Sequence, residues 1–133
     1  MVNDKSNPSK PIRLTRQQKG RIGEEAALAW LKEQGYLILE RNWRCRSGEI
    51  DIIAQLDGLV IFVEVRSRSH VSKFGTPQES VDARKIHQVR STAAVYLQSR
   101  ETASQPQVRF DVVAVMLDHR GTTVSVNHIV NAF

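Results

Sequence analysis

The sequence predicts an α/β fold, a mixed β-sheet flanked by helices in the order αβββαββ. Three observations carry that expectation. Two apolar, β-branched runs flank an Asp57-Gly58 pair, one helical pattern precedes them and a second follows, and two further strand-like runs close the chain. With 133 residues and 41% hydrophobic content, the chain has room for one compact domain with one core.

Residues 1–16 combine Pro8, Pro11, Asn, Ser and Lys with few large apolar side chains, so they read as a flexible basic tail, leaving 17–133 as a single domain. From Gln17 to Gln34, Ile22, Ala26, Ala29 and Trp30 fall on one buried helical face, and Gly35 supplies a stop. Tyr36 to Trp43 reads as a strand, followed by the basic connection Arg44-Cys45-Arg46-Ser47-Gly48. Glu49–Leu56 and Leu59–Arg66 form a hairpin, because Asp-Gly is strongly favoured in two-residue type I′ turns. After a polar stretch, Thr76-Pro77-Gln78-Glu79 has the form of a capping box with proline at the first helical position. It would open a second helix carrying Val81, Ile86, Val89, Ala93 and Leu97 and fading near Ser99 to Ser104. Val108–Leu117 and Thr122–Val130 are the last strands, joined by Asp118-His119-Arg120-Gly121.

Composition narrows the function. A single cysteine, Cys45, excludes an intrachain disulfide and a thiolate zinc site built from this chain alone. The formal net charge of +5 favours an anionic partner, and a nucleic acid is the usual one. No apolar run is long enough to span a bilayer and the N-terminus lacks the apolar stretch of a secretory signal, so a cytoplasmic protein without a membrane partner is expected.

Counting outward from the two-residue turn, Leu56 faces Leu59, Ile53 faces Phe62, Asp51 faces Glu64 and Glu49 faces Arg66. Opposed residues of a hairpin point to the same side, so these four polar groups should line one surface together with Ile53, Phe62 and Val60. Like charges directly opposite each other destabilise a sheet unless something compensates, and a dication between Asp51 and Glu64 would do so. Hard carboxylate oxygens suit Mg²⁺ or Mn²⁺, which activates water and neutralises charge building on a phosphate. The plainer reading is an ordinary Glu49–Arg66 ion pair on a solvated face. The apolar neighbours argue for a buried face instead.

The runs Gly20-Arg-Ile-Gly-Glu24, Arg41-Asn-Trp-Arg44, Gly48-Glu-Ile-Asp51-Ile-Ile, Phe62-Val-Glu64-Val-Arg66-Ser-Arg68, Phe74-Gly-Thr-Pro77 and Arg109-Phe-Asp111-Val-Val resemble, in that order, the YraN family of endonucleases. The similarity extends from Lys19 to the end of the chain. It implies the PD-(D/E)xK, restriction-endonuclease-like fold, with kinship to Holliday-junction resolvases and an active site at the hairpin. By resemblance, Asp51 and Glu64 bind the metal and Glu24, on the first helix, assists. The implied activity is Mg²⁺- or Mn²⁺-dependent hydrolysis of DNA, of branched DNA if the kinship extends to substrate, and a homodimer is in keeping with it.

One departure matters. The superfamily motif ends in lysine, whereas this chain has Arg66, whose guanidinium stays protonated and cannot act as a general base. Arg66 retains the capacity to stabilise charge on the reacting phosphate. Lys85, on one face of the second helix with Gln78 and Val81, offers an ammonium from another direction, against the plainer reading of a solvated helical lysine. The alternative function is a nucleic-acid-binding module that keeps the fold and has lost turnover. Glu24 shares a helical line with Ala27, Leu28 and Leu31, and its plainer role is an acid near the helix dipole. Arg41, Arg44, Arg46, Arg68 and Lys73 flank the hairpin as a phosphate-contacting rim, and Lys5, Lys10, Arg13 and Arg16 add basic charge from the tail. His70, His87, His119 and His128 lack ligand spacing, Trp43 and Asp111 read as structural, and Gly20 and Gly23 do not complete a dinucleotide-binding pattern.

Overall fold

Asp57 and Gly58 both adopt positive φ, 48° and 82°, the requirement of a type I′ turn, and the hairpin expected there forms. A computed structural model describes residues 13–69, 82–100 and 106–133. Their order is α1 (Arg16–Glu33), β1 (Leu37–Cys45), β2 (Gly48–Leu56), β3 (Leu59–Ser69), α2 (Ala83–Ser99), β4 (Gln107–Leu117) and β5 (Thr123–Ile129). This is the expected αβββαββ.

The five strands form one sheet in sequential order. β1, β2 and β3 are an antiparallel meander, β4 and β5 are antiparallel, and β3 runs parallel to β4. A parallel neighbour demands a crossover, and α2 lies in that connection. The central strands are buried on both faces, which is why they read as nearly unbroken apolar runs. Ile52, Ile61, Val63, Val113 and Val115 pack under Ala27, Leu28 and Leu31 of α1. Ile50, Ile53, Val60 and Phe62 pack under Val89, Ala93 and Tyr96 of α2. The sheet is thus a middle layer between two helices. No helix among the described residues is long and apolar enough to cross a membrane.

The helix starts differ in detail. α1 begins at Arg16, one residue early, because Thr15 and Gln18 form a capping box: Gln18 N donates to Thr15 Oγ1 at 3.0 Å and Thr15 N to Gln18 Oε1 at 2.8 Å. α2 begins at Ala83 rather than at the Thr76 box. Asp82 is extended (φ −81°, ψ 175°), and its side chain accepts from Lys85 N at 2.9 Å. The Thr76-Pro77-Gln78-Glu79 segment, like Val81, lies outside the described residues.

Two close approaches set the helices on the sheet. A Cβ on Gly23 of α1 would lie 1.7 Å from Ser67 Oγ of β3. Gly48, at the start of β2 with φ +147°, is covered by Gln88 of α2, whose side-chain atoms would lie 2.7 to 2.9 Å from a Cβ there. Gly23 must be glycine because helix and strand touch there, and Gly48 because its backbone conformation is one that side chains rarely adopt.

Candidate active site

β2 and β3 part where their ladder stops, at Ile52–Val63. In the gap Asp51 turns to β3, and its Oδ2 accepts the Val65 N–H at 2.8 Å. Ile50 packs under α2 and Ile52 under α1, so side chains two residues apart face opposite layers and the break in alternation falls on Asp51. This corrects the expected register at the open end of the hairpin, where Asp51 was to face Glu64, Glu49 to face Arg66, and all four to share the Ile53–Phe62 surface. A carboxylate that takes a backbone N–H replaces a ladder bond and ends the pairing. Glu49 instead pairs with Arg44 of β1, Oε2 to Nε 2.9 Å.

The two acids nevertheless interact. Glu64 is 3% exposed. Burial pushes its carboxyl up to about 7, the charge of Asp51 adds to the rise, and Lys85 and Arg66 pull against it without prevailing. Asp51 is also raised, by burial first; the Val65 N–H and Lys85 oppose, while Glu24 and Glu49 reinforce. Lys85 Nζ and Arg66 Nη2 stand 3.5 and 3.8 Å from Glu64 Oε2. Glu64 Oε1 and Arg66 Nε are buried without a hydrogen-bond partner.

That orphaned oxygen is the structural test of a metal. An unpartnered buried carboxylate oxygen is costly unless a ligand satisfies it. Among the described residues, no group of three or more His, Cys, Asp or Glu side chains gathers as a metal-holding set. Mg²⁺ keeps several waters and is commonly held by one or two carboxylates plus phosphate oxygens, so Asp51 and Glu64 fit it as a two-carboxylate site. Glu24 stands near enough to raise Asp51, but its Oε1 accepts from Asn42 Nδ2 at 2.7 Å and lies 3.6 Å from Arg41 Nη2. Asn42, at φ 49°, is turned out of regular β1 geometry to reach it.

Asp51 and Glu24 line an open cleft of about 1280 Å³. Arg41 and Arg44 enter it from β1, Arg66 and Arg68 from β3, and Arg16, Lys19 and Arg21 from α1. Within this wall Arg41 is bonded to Glu25, and Lys19 Nζ donates to Ser69 Oγ at 3.0 Å. Of the expected rim, Arg46 is exposed on the β1–β2 turn but off the cleft wall, and Lys73 lies outside the described residues, as does His70. Of the α1 residues, Glu24 was expected near the site and Arg16 was assigned to the tail, while Lys19 and Arg21 were missed. The signal that places Arg16 on the helix is the Thr15-Gln18 capping box, which sets it on one helical line with Gly20 and Glu24.

Asp111 is structural, as the sequence reading held. It is fully buried and accepts from Arg109 Nε (2.9 Å), Arg109 Nη2 (2.8 Å) and Asn131 N (3.0 Å), with His128 Nε2 at 2.7 Å. Burial raises its carboxyl, yet the bonds from His128, Arg109 and Asn131 together hold it below the usual carboxylate range. Trp30 Nε1, which can only donate, reaches His128 Nδ1 at 3.3 Å, so Nε2 carries the proton given to Asp111. Trp43, half-buried, packs edge-on against Tyr96, with ring centroids 5.2 Å apart, at the edge of the α2-side core.

The family model described as "Uncharacterised protein family UPF0102" matches residues 23–115. A UPF0102 protein of Moorella thermoacetica is 52% identical over 120 residues, covering 90% of this chain and 98% of the relative. One of Persephonella marina is 43% identical, covering 86% and 92%. Another, of Pelobacter propionicus, is 43% identical, covering 96% and 90%.

Proposed function

Taking as premise that this chain belongs to the UPF0102 family, we propose that it is a metal-dependent endonuclease of the PD-(D/E)xK type, hydrolysing phosphodiester bonds in DNA with Mg²⁺ or Mn²⁺. The observation that carries the reading is the half-buried Asp51 acting on the buried Glu64, with Glu64 Oε1 unpartnered, beside a cleft walled by arginine and lysine. The mixed sheet between two helices and the motif resemblance to the YraN endonucleases support it.

In such a reaction water oxygen bonds to phosphorus, the bond from phosphorus to one sugar oxygen breaks, and the water's proton is given up as the leaving oxygen gains one. A bound Mg²⁺ would neutralise phosphate charge and acidify the water. The chain's own residues do the rest. Val65 N–H fixes one oxygen of Asp51, leaving Oδ1 for the ligand. Glu64, held in a buried setting, supplies the second carboxylate. Arg66 and Arg68, on the cleft wall, would grip non-bridging oxygens, and Arg16, Lys19, Arg21 and Arg44 would track the neighbouring backbone without reading sequence.

The test is incubation of nicked, branched and single-stranded DNA with the protein in Mg²⁺ or Mn²⁺, comparing wild type with Asp51→Asn and Glu64→Gln. Cleavage by wild type, lost in both variants, supports the enzyme. Salt-dependent binding without cleavage in any metal supports the second reading, a binding module without turnover, which Arg66 in the lysine position favours.

A further inference from the structure

Lys85 was a minor candidate in the sequence, and the structure moves it to the centre. It is the third residue of α2, in a turn pinned by Asp82, whose side chain accepts the backbone N–H of Lys85 itself at 2.9 Å. Its ammonium stands 3.5 Å from Glu64 Oε2, its side chain is 27% exposed, and its charge acts on Asp51 as well as Glu64. The other side of the same side chain borders a second groove, with Ser47, Arg84 and His87. Lys85 therefore lies between the carboxylates and solvent, on the layer opposite α1.

A lysine that only solvated a helix would have no reason to reach a glutamate that is 3% exposed. A lysine that served only to neutralise that glutamate would close to the roughly 2.7–2.9 Å of a charge-assisted hydrogen bond. Here the ion pair is longer, and Glu64 Oε1 is left without a partner. Oε2 carries the long ion pair, and Oε1 is the oxygen left for a dication.

Resting on the metal-site reading above, we propose that Lys85 is the exchanging cation of the site. Its ammonium balances Asp51 and Glu64 when no dication is bound, and it transfers to a non-bridging oxygen of the scissile phosphate when a dication takes the carboxylates. It moves no proton. Lysine suits this better than Arg66, because an ammonium on a flexible stem reorients at small cost whereas a planar guanidinium is committed to fixed directions.

The role predicts two changes of opposite sign, which loss of structure does not produce. Mn²⁺ affinity is read by calorimetry on the full chain without DNA. Affinity for duplex DNA with non-cleavable phosphorothioate linkages is then read at saturating Mn²⁺. Lys85→Gln removes a competing cation and binds Mn²⁺ roughly tenfold tighter, while binding the DNA roughly tenfold more weakly. Lys85→Met repeats both changes and Lys85→Arg restores most of the DNA affinity. Mn²⁺ affinity that is unchanged or weaker in both neutral variants overturns the proposal and leaves the metal site standing, and so does undiminished DNA affinity. Wild type that binds no Mn²⁺ overturns the metal site and this role together.

Discussion

Glu64→Gln is expected to stabilise the metal-free protein as the pH rises. The carboxyl of Glu64 is pushed from an ordinary 4.5 up to about 7 by burial and by Asp51. A group that holds its proton more tightly when folded contributes fully below its unfolded value, and that contribution drains away as pH climbs through the folded one. A shift from 4.5 to about 7, at about 1.4 kcal/mol per unit, amounts to about 3 kcal/mol lost by pH 8. Glutamine mimics the protonated form at every pH. The stability difference between Glu64→Gln and wild type should therefore widen by about 2 kcal/mol between pH 5 and pH 8. For a chain of 133 residues the full effect corresponds to roughly 10 °C in Tm. The assay is urea and thermal unfolding by circular dichroism in EDTA at several pH values. Mn²⁺ should reverse the order, since a ligand that binds only the folded wild type stabilises it alone. Stability profiles that run parallel from pH 5 to pH 8 would refute the reasoning, for then Glu64 is not held against its charge.

Asp111 should behave in the opposite sense. Its carboxyl is held low, so its contribution is present at neutral pH and is lost as pH falls through the folded value. Asp111→Asn should cost about 3 kcal/mol at pH 7 by stranding Arg109 and His128, and its deficit should shrink in acid unfolding curves. On the cleft, Lys19→Gln and Arg68→Gln should each lower the salt slope of DNA binding by about one, measured in Ca²⁺ to suppress cleavage. Arg41→Gln should lower it less, because Arg41 is already bonded to Glu25.

The legible parts of the fold were those written in local chemistry. Asp57-Gly58 specified the turn, and the register held from Leu56–Leu59 to Ile52–Val63. Beyond that pair, counting failed because the deciding contact, Asp51 with the Val65 N–H, joins residues whose partnership is settled by where the strands part. Asp51 and Glu64 were singled out by counting, a buried face was expected from their apolar neighbours, and Lys85 was named as a second ammonium. Its approach to Glu64 was not legible, since Lys85 arrives from the helix within the crossover. The described start of α2 was not legible because a lone aspartate at 82, with no acidic partner three residues on, carries less signal than a full capping box.

Gly48 gives the β1–β2 connection a say in what happens on α2. With no side chain at that position, Gln88 rests directly on the strand's backbone, and Gln88 is one turn along from Lys85. A side chain there would be strained by the positive φ and would push the Gln88 side chain off the strand, disturbing the surface on which this turn of α2 rests without altering any acidic or basic residue. A residue that has no chemistry of its own thereby conditions the seat of the ammonium beside Glu64.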